Sequence, residues 1–487
     1  MAIDAPSVET RDVIVIGAGP AGTAAALATA AAGLTVTLIE ESDQAGGQVY
    51  RALPRAFAVQ DAKGLGPEFA AGEALRASLQ GSTVVCRFGR RVWLVHRNGD
   101  DAFIVDAVGD ATAERYAARS LVLCTGTTER SIPFNGSTRP GVIGLAAATI
   151  LLKSQKMLPG RRTLVAGSGP LLAAVAAGIV KGGGEVAAVV DLNGRSDWAR
   201  AGLGMLGRPD LLLRGAGWMR MVRAKGVPWL WRHTAISANG DDAGVRDVTV
   251  ARVDADGHVV AGSTPLHFEV DAVTVGHGLV PATEFVRALD AQLEWNDDNA
   301  CWQPVKDECG RTSVAGLYVA GDGAAVAGAA AAENSGRIAG LAVAADMVPG
   351  SGEVISPELR RSQRGAVRFG RASIGLTRLR EGLVAEMPAQ TVVCRCEDVT
   401  RATLDEAFRE GAQNIGQIKA WTRCGMGPCQ GRMCGETLSA LAATHGIARD
   451  AFSPMVGRAP ARPVEIDALT GMHDYKDIPL PPSLPSS

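Results

Sequence analysis

Apolar and polar residues change period repeatedly along this chain. Asp12–Ile16 is a short β-branched run, an Ala-rich stretch follows to Gly33, and Leu34–Ile39 is apolar again. The pattern predicts a strand, a helix and a second strand. It recurs further on, where Thr163–Ala166 leads through an apolar helical stretch to Glu185–Asp191. Strand-like runs also occur in GRRVWLV, at Leu121–Leu123, and in LYVAGDGAAVAG after Gly316. Pro349 and Gly350 open a break in the pattern. Beyond it lies a basic, helix-leaning segment, ELRRSQRGAVRFGRASIGLTRLREG, whose arginines read as a solvated face. An amphipathic helical stretch, TLDEAFREGAQNIGQIKAW, lies nearer the end.

The turn after the first strand carries chemistry. Gly17, Gly19 and Gly22, with Pro20 and Ala21 between them, have the spacing that permits a tight turn, close approach of a pyrophosphate, and helix packing on the strand. Glu40 ends the next strand, 18 residues beyond Gly22, where a carboxylate would hold a ribose hydroxyl. Strand, turn, helix, strand and acid together predict a bound dinucleotide.

At 487 residues the chain has room for two to four domains, and its 47% hydrophobic content is ample for their cores. The 59 glycines sit mostly between apolar runs, which suits frequent switching between strand and helix. A net charge of −2 offers no basic field for nucleic acid. The opening residues, MAIDAPSVETRD, contain neither a basic nor an apolar leader region, and no uncharged run reaches the ~18 residues of a membrane span. The expectation is a cytoplasmic protein without a transmembrane segment.

The second strand–helix–strand unit departs from the first. Its turn, Gly167-Ser168-Gly169-Pro170, has Leu172 at the third glycine position, and its acid, Asp191, has no basic neighbour to select a 2′-phosphate. Leu172 is expected to hold helix and strand apart and to weaken nicotinamide use. Trp198, Trp218, Trp229 and Trp231 crowd one region, as a local core or a subunit interface would.

Of nine cysteines, Cys86, Cys124, Cys301 and Cys309 stand apart and read as core or incidental. The other five gather at Cys394-Arg395-Cys396 and in the run RCGMGPCQGRMC, from Arg423 to Cys434. Four thiolates surrounded by glycine suit an iron–sulfur cluster, whereas structural zinc ligands more often pair as C-x₂₋₄-C. Arg395, Lys419, Arg423 and Arg432 would offset the negative charge of such a cluster.

Several segments resemble flavoproteins of the glutathione-reductase type: Glu41 to Gln48 with Gly47 before it, Val92 at an adenine-contacting position, the turn Thr125-Gly126, and Asp322 after Gly321, where the ribityl chain is held. The cysteine module resembles the bacterioferritin-associated ferredoxin type of [2Fe-2S] domain. The whole chain, GGQVYR (Gly46 to Arg51) and RCGMGPCQGRMC above all, resembles the alpha subunits of heteromeric amine and imino-acid dehydrogenases. These include the A subunit of opine oxidase, hydroxyproline dehydrogenase alpha and the B subunit of hydrogen cyanide synthase.

The resemblance implies an α/β fold: a glutathione-reductase-like flavoprotein with two dinucleotide-binding domains and a small C-terminal [2Fe-2S] domain. Residues 1–130 and 281–350 would form the FAD-binding domain and 131–280 the NAD(P)-binding-like domain. Residues 351–390 would be a linker, 391–446 the [2Fe-2S] domain, and 447–487 a Pro-rich tail. It implies FAD, with NAD or ATP as alternatives in the same site and FMN at a subunit interface. In the ferredoxin type about thirty residues separate the CxC from the third ligand. Thirty-two lie between Cys396 and Cys429 but twenty-seven between Cys396 and Cys424. The implied ligands are therefore Cys394, Cys396, Cys429 and Cys434, although the C-x₄-C spacing departs from the usual CxxC and leaves room for Cys424.

The same resemblance implies an electron-transfer subunit whose flavin-containing beta partner, with or without a small third subunit, oxidises the C–N bond of an amino acid, imino acid or opine. An acceptor at the inner membrane would make it peripheral there. No catalytic base is legible. Two alternatives remain at this point: a self-sufficient NADH-dependent flavin/iron–sulfur reductase, and a scaffold holding nucleotide and cluster for assembly only.

Overall fold

The computed structural model describes residues 8–57, 66–99, 102–110, 112–350 and 355–469. The first seven residues and the Pro-rich end beyond residue 469 lie outside the described residues.

The first apolar runs become the middle of a seven-stranded sheet. β1 (Glu9–Ile16) pairs in parallel with β2 (Val36–Ile39) on one side and β6 (Thr112–Leu123) on the other, while β3 (Val85–Arg87) extends β2. β4 (Arg91–Asn98) and β5 (Ala102–Gly109) form an antiparallel meander on β6. The last strand, Leu317–Val319, comes from far along the chain and pairs with Leu121–Leu123 at the end of β6. Val13, Ile14 and Val15 have no exposed surface, which is why their stretch reads as a continuous apolar run.

Helix α1 (Pro20–Ala31) is built of small residues and crosses the long helix Ala329–Met347. Gly336 lies against the Ala21 backbone, Gly340 lies against Ala25, and Thr29 Oγ1 donates to Gly340 O at 3.3 Å. Only small side chains allow helices so close. The two segments therefore close one domain across 300 residues of intervening chain.

The second unit forms a five-stranded parallel sheet, in the order Trp229–Trp231, Glu185–Asp191, Arg162–Gly167, Ala272–Gly276, Val142–Gly144. A three-stranded antiparallel meander accompanies it. Leu172 does not wedge helix and strand apart. It is fully buried in a core with Val165, Val189 and Leu145.

The described part of the expected linker, residues 355–390, is more ordered than a linker. Helix Pro357–Gly375, capped where Ser356 Oγ accepts from Leu359 N at 3.2 Å, packs against the helices Ala329–Met347 and Arg195–Met205. Leu379, Val384 and Met387 already belong to the core of the cysteine module, and at the other end so do Phe452 and Met455. The module's core thus extends beyond the expected 391–446 in both directions. Its amphipathic stretch is two helices, Arg401–Arg409 and Ile415–Thr422, separated at Gly411 with φ +107°. Asn414 begins the second, its Oδ1 accepting from Gln417 N at 3.0 Å.

Candidate functional site

Gly17 adopts φ +101°, and a Cβ there would collide with the Cys124 carbonyl, so only glycine permits this turn. Gly19 follows at the N-cap of α1 without a side-chain cap, leaving the first backbone N–H groups of the helix free for an anion. A cavity of about 190 Å³ opens over the turn. Gly17, Gly19, Pro20, Ala21, Glu40, Glu41, Gly47, Gln48, Val92, Thr125, Gly126, Gly321 and Asp322 all line it. Gly22 does not. It lies behind the turn, where a Cβ would overlap the Gly17 carbonyl oxygen, so its part is to let helix and turn pack.

Glu40 is buried, and it ties the turn together: Ala18 N donates to Oε2 at 2.7 Å and Ser42 N to Oε1 at 2.9 Å. Asp322 Oδ1 accepts from Ala327 N and Gly328 N, both at 2.9 Å, which shapes the loop entering helix Ala329–Met347. Burial pushes the Asp322 carboxyl up, although these N–H groups oppose it. Thr125 Oγ1 donates to Ala282 O at 3.0 Å, joining the two halves of the domain.

Sequence reasoning missed part of this lining, including Ser42, Arg51, Phe285 and Arg462. Arg51 stands inside GGQVYR and was within reach. Arg462 is not adjacent to any motif.

The second glycine turn is filled from within. Residues Leu376 to Arg380 cross it: a Cβ on Gly169 would overlap the Thr377 side chain, Asn193 Nδ2 donates to Leu376 O at 2.9 Å, and Arg380 Nη2 donates to Asn193 Oδ1 at 3.0 Å. Asp191, the acid that ends the second strand of this unit, has no exposed surface and accepts from Trp198 Nε1 at 2.8 Å and Trp229 Nε1 at 3.4 Å. Burial pushes its carboxyl up to about 6 despite these donors. Two of the clustered tryptophans are thus accounted for locally.

The cysteine module brings all five late cysteines into two adjoining groups. The sulfurs of Cys394, Cys424 and Cys434 lie within 4.8 Å of one another in a buried group, with Cys424 Sγ 3.8 Å from Cys434 Sγ. Cys396 and Cys429 form a second, more exposed group, joined by a side-chain hydrogen bond. The implied ligands therefore fall two and two, and Cys424, which the spacing sets aside, stands beside the buried pair. Hydrogen bonds from Cys424 and Cys434, then backbone N–H groups of Gly425 and Glu397, hold Cys394 far below the usual thiol range. Cys424 and Cys434 are pushed up in turn by sharing with that thiolate. Soft sulfur donors clustered beside slim glycine backbone suit a [2Fe-2S] centre. Arg423 is spent on Glu397 at 2.8 Å, whereas Arg432 Nη1 donates to Ala461 O at 2.7 Å. The other cysteines stay apart, with Cys124 and Cys301 pushed up to about 12 by burial.

Residues 11–347 match the model of the pyridine nucleotide-disulphide oxidoreductases. The A subunit of opine oxidase from Agrobacterium tumefaciens (strain Ach5) is 34% identical over 476 residues, covering 94% of this chain and 91% of that one. The chain belongs to this oxidoreductase family, in the group of the opine oxidase A subunits. Hydrogen cyanide synthase subunit HcnB from Pseudomonas aeruginosa (strain PAO1) is 33% identical, over 86% of this chain and 90% of that one. Residues 389–472 match the sarcosine oxidase A3 domain, which spans the cysteine module and its return to the body. Among solved structures, L-proline dehydrogenase from P. horikoshii shares the fold with a TM-score of 0.69 at 21% identity, over 95% of this chain and 80% of that one. Thioredoxin reductase from T. acidophilum shares it with a TM-score of 0.52 at 20% identity, over 70% of this chain and 99% of that one. The expected fold is thus found: an oxidoreductase body of the flavin-binding type, followed by a module shared with sarcosine oxidase alpha subunits. Among the described residues, no helix is long and apolar enough to cross a membrane.

Proposed function

We propose that this chain is the electron-transfer subunit of a heteromeric cytoplasmic dehydrogenase that oxidises the C–N bond of an amino acid, imino acid or opine, with substrate held on a partner subunit. The observation that carries the reading is the joining, in one chain, of an open nucleotide pocket to a five-cysteine centre by direct packing. Thr437 Oγ1 of the module donates to Ser131 O of the body at 2.8 Å, and Arg130 meets Glu436 at 3.4 Å. The names of its relatives, subunits of opine oxidase and hydrogen cyanide synthase, support a partner.

In this reading the glycine turn, the α1 N-terminus and Glu40 bind FAD, or NAD or ATP in its place, by its phosphates and ribose. Cys394, Cys396, Cys429 and Cys434 hold the cluster. A bound flavin and a [2Fe-2S] centre would supply two-electron uptake and one-electron transfer. The filled second turn and the capped Asp191 weigh against the rival NADH-dependent reductase.

The test is to purify the chain alone and with whatever copurifies, take its cofactor inventory, and assay both with an artificial acceptor. The expected result is an adenine nucleotide or flavin, equal iron and acid-labile sulfide, and no oxidation of opine, proline, hydroxyproline or glycine by the single chain. Robust turnover by a homogeneous single-chain preparation would refute the division of labour. A chain binding neither nucleotide nor iron would refute the whole.

A further inference from the structure

The described end of the chain does not trail away from the cysteine module. Gln430, in the loop between Cys429 and Cys434, donates from Nε2 to Pro460 O at 2.7 Å, and Arg432 in the same loop donates to Ala461 O. Ala461 N then donates to Trp93 O on β4 at 2.7 Å, and Ala461 is buried in the core of the first domain. Val464 and Leu469 pack against the cluster of Trp93, Val108 and Ala468. A strap of the module is therefore fastened at both ends, to the cysteine loop and to the nucleotide domain.

Between these fastenings Arg462 lines the nucleotide cavity together with Gly17, Gly19, Thr125 and Gly126. Its Nη2 forms an ion pair with Glu284 Oε1 at 2.5 Å, although that oxygen accepts no hydrogen bond, and the Glu284 side chain is 5% exposed. Its Nη1 is buried and has no hydrogen-bond partner. Arg51 lines the same cavity and leaves its Nε buried and unpaired. Two orphaned guanidinium donors beside a free helix N-terminus form a site short of an anion, since buried donors otherwise find partners.

We propose that Arg462 is a phosphate-binding residue of the nucleotide site, delivered by the strap of the cysteine module, with Glu284 orienting its guanidinium and Arg51 as the second cationic contact. This assignment rests on the nucleotide reading above. A guanidinium fork fixed on one side by a carboxylate presents its other N–H groups to a phosphate oxygen without further loss of side-chain freedom. The body thus supplies backbone N–H groups, a ribose acid and Arg51, and the module adds Arg462 as a second counter-charge.

The probes are ADP and adenosine, which share the base and ribose but differ in phosphate, titrated by calorimetry into the nucleotide-freed full chain. Arg462→Ala is expected to raise the Kd for ADP roughly ten- to hundred-fold and to leave adenosine within about two-fold. Arg462→Lys should recover part of the ADP affinity. Removing Arg462 alone leaves the buried Glu284 unpaired and risks misfolding. The double variant Arg462→Met with Glu284→Gln removes both charges and should show the same selective loss. If ADP and adenosine weaken equally, or if ADP binding survives every variant, the assignment of Arg462 is overturned while the nucleotide reading stands. If the wild-type chain binds neither compound, both fall together.

Discussion

Substituting alanine for Gly336 tests whether the contact between α1 and helix Ala329–Met347 sets the shape of the nucleotide cavity. The added Cβ would enter the Ala21 carbonyl oxygen and stand 2.6 Å from its carbon and 2.7 Å from the Ala21 Cα. Carbon atoms rest at roughly 3.5–4.0 Å, so the helices must part by about 1 Å at the crossing. Overpacking of this kind costs about 1–3 kcal/mol or more, against a gain of about 1 kcal/mol from replacing glycine inside a helix. All three atoms met belong to the Ala21 backbone and cannot swing aside, which puts the cost at the top of that range, and the resulting net loss of about 2 kcal/mol lowers the melting temperature by roughly 4–8 °C for a domain of this size. Because Ala21 and Ala332 both line the cavity, ADP affinity should fall with it. Gly365 provides the control, since it lies in helix Pro357–Gly375 with open space around it. Gly365→Ala should gain about 1 kcal/mol from helix propensity alone. Scanning calorimetry with ADP titration checks the pair. A Gly336→Ala chain that melts at or above wild type with unchanged ADP affinity would refute the reasoning.

Serine at Cys394, Cys396, Cys429 or Cys434 should abolish the visible and EPR signature of a [2Fe-2S] centre, and serine at Cys424 should leave it largely intact; loss at Cys424 with retention at Cys429 would exchange their roles. Stoichiometric NADH should fail to bleach bound flavin under anaerobic conditions, because residues Leu376 to Arg380 fill the second glycine turn; rapid bleaching would show that this segment withdraws. Burial pushes the Glu129 carboxyl up to about 7, with the Ala146 N–H pulling the other way. The native state then holds a proton that the unfolded chain has released, so its stability contribution declines as pH rises from the ordinary carboxylate range to about 7, by at most about 1.4 kcal/mol per unit. Glu129→Gln should stabilise the chain above pH 7 and lose that advantage in acid, as melting curves across pH 4–8 would reveal; a pH-independent difference would refute it.

The parts legible in the sequence are those where one local segment carries both fold and chemistry. The glycine turn, Glu40 and the Thr125 turn each announce themselves within a few residues, because tight backbone approach demands glycine and a strand end demands a particular side chain. Gly22 takes the third of the roles that the glycine spacing assigns, packing of helix against turn, and so stays out of the cavity. Arg462 and the segment from Leu376 to Arg380 are illegible: each acts where it does through tertiary packing, and nothing in its own neighbourhood specifies the distant turn it meets. Cys424 shows the limit of spacing. Counting residues separates it from Cys429, whereas Gly425, at φ +83°, lets the chain bend so that Cys424 approaches Cys434.

The late arrival of strand Leu317–Val319 and its following helix has a consequence for biosynthesis. Roughly two hundred residues separate β6 from the strand that completes its sheet. At about 5–20 residues per second a ribosome takes roughly 10–40 s to supply it. Throughout that interval the end of β6 is an unpaired edge, and the small-residue face of α1 has nothing to cover it. The glycine turn emerges well ahead of its surroundings, since one wall of its cavity must wait for Ala329 and Ala332, and its strap for Arg462. Loading with nucleotide is thereby deferred until residue 462 has been made, and chaperone capture of the nascent chain should fall most heavily on the window before residue 347.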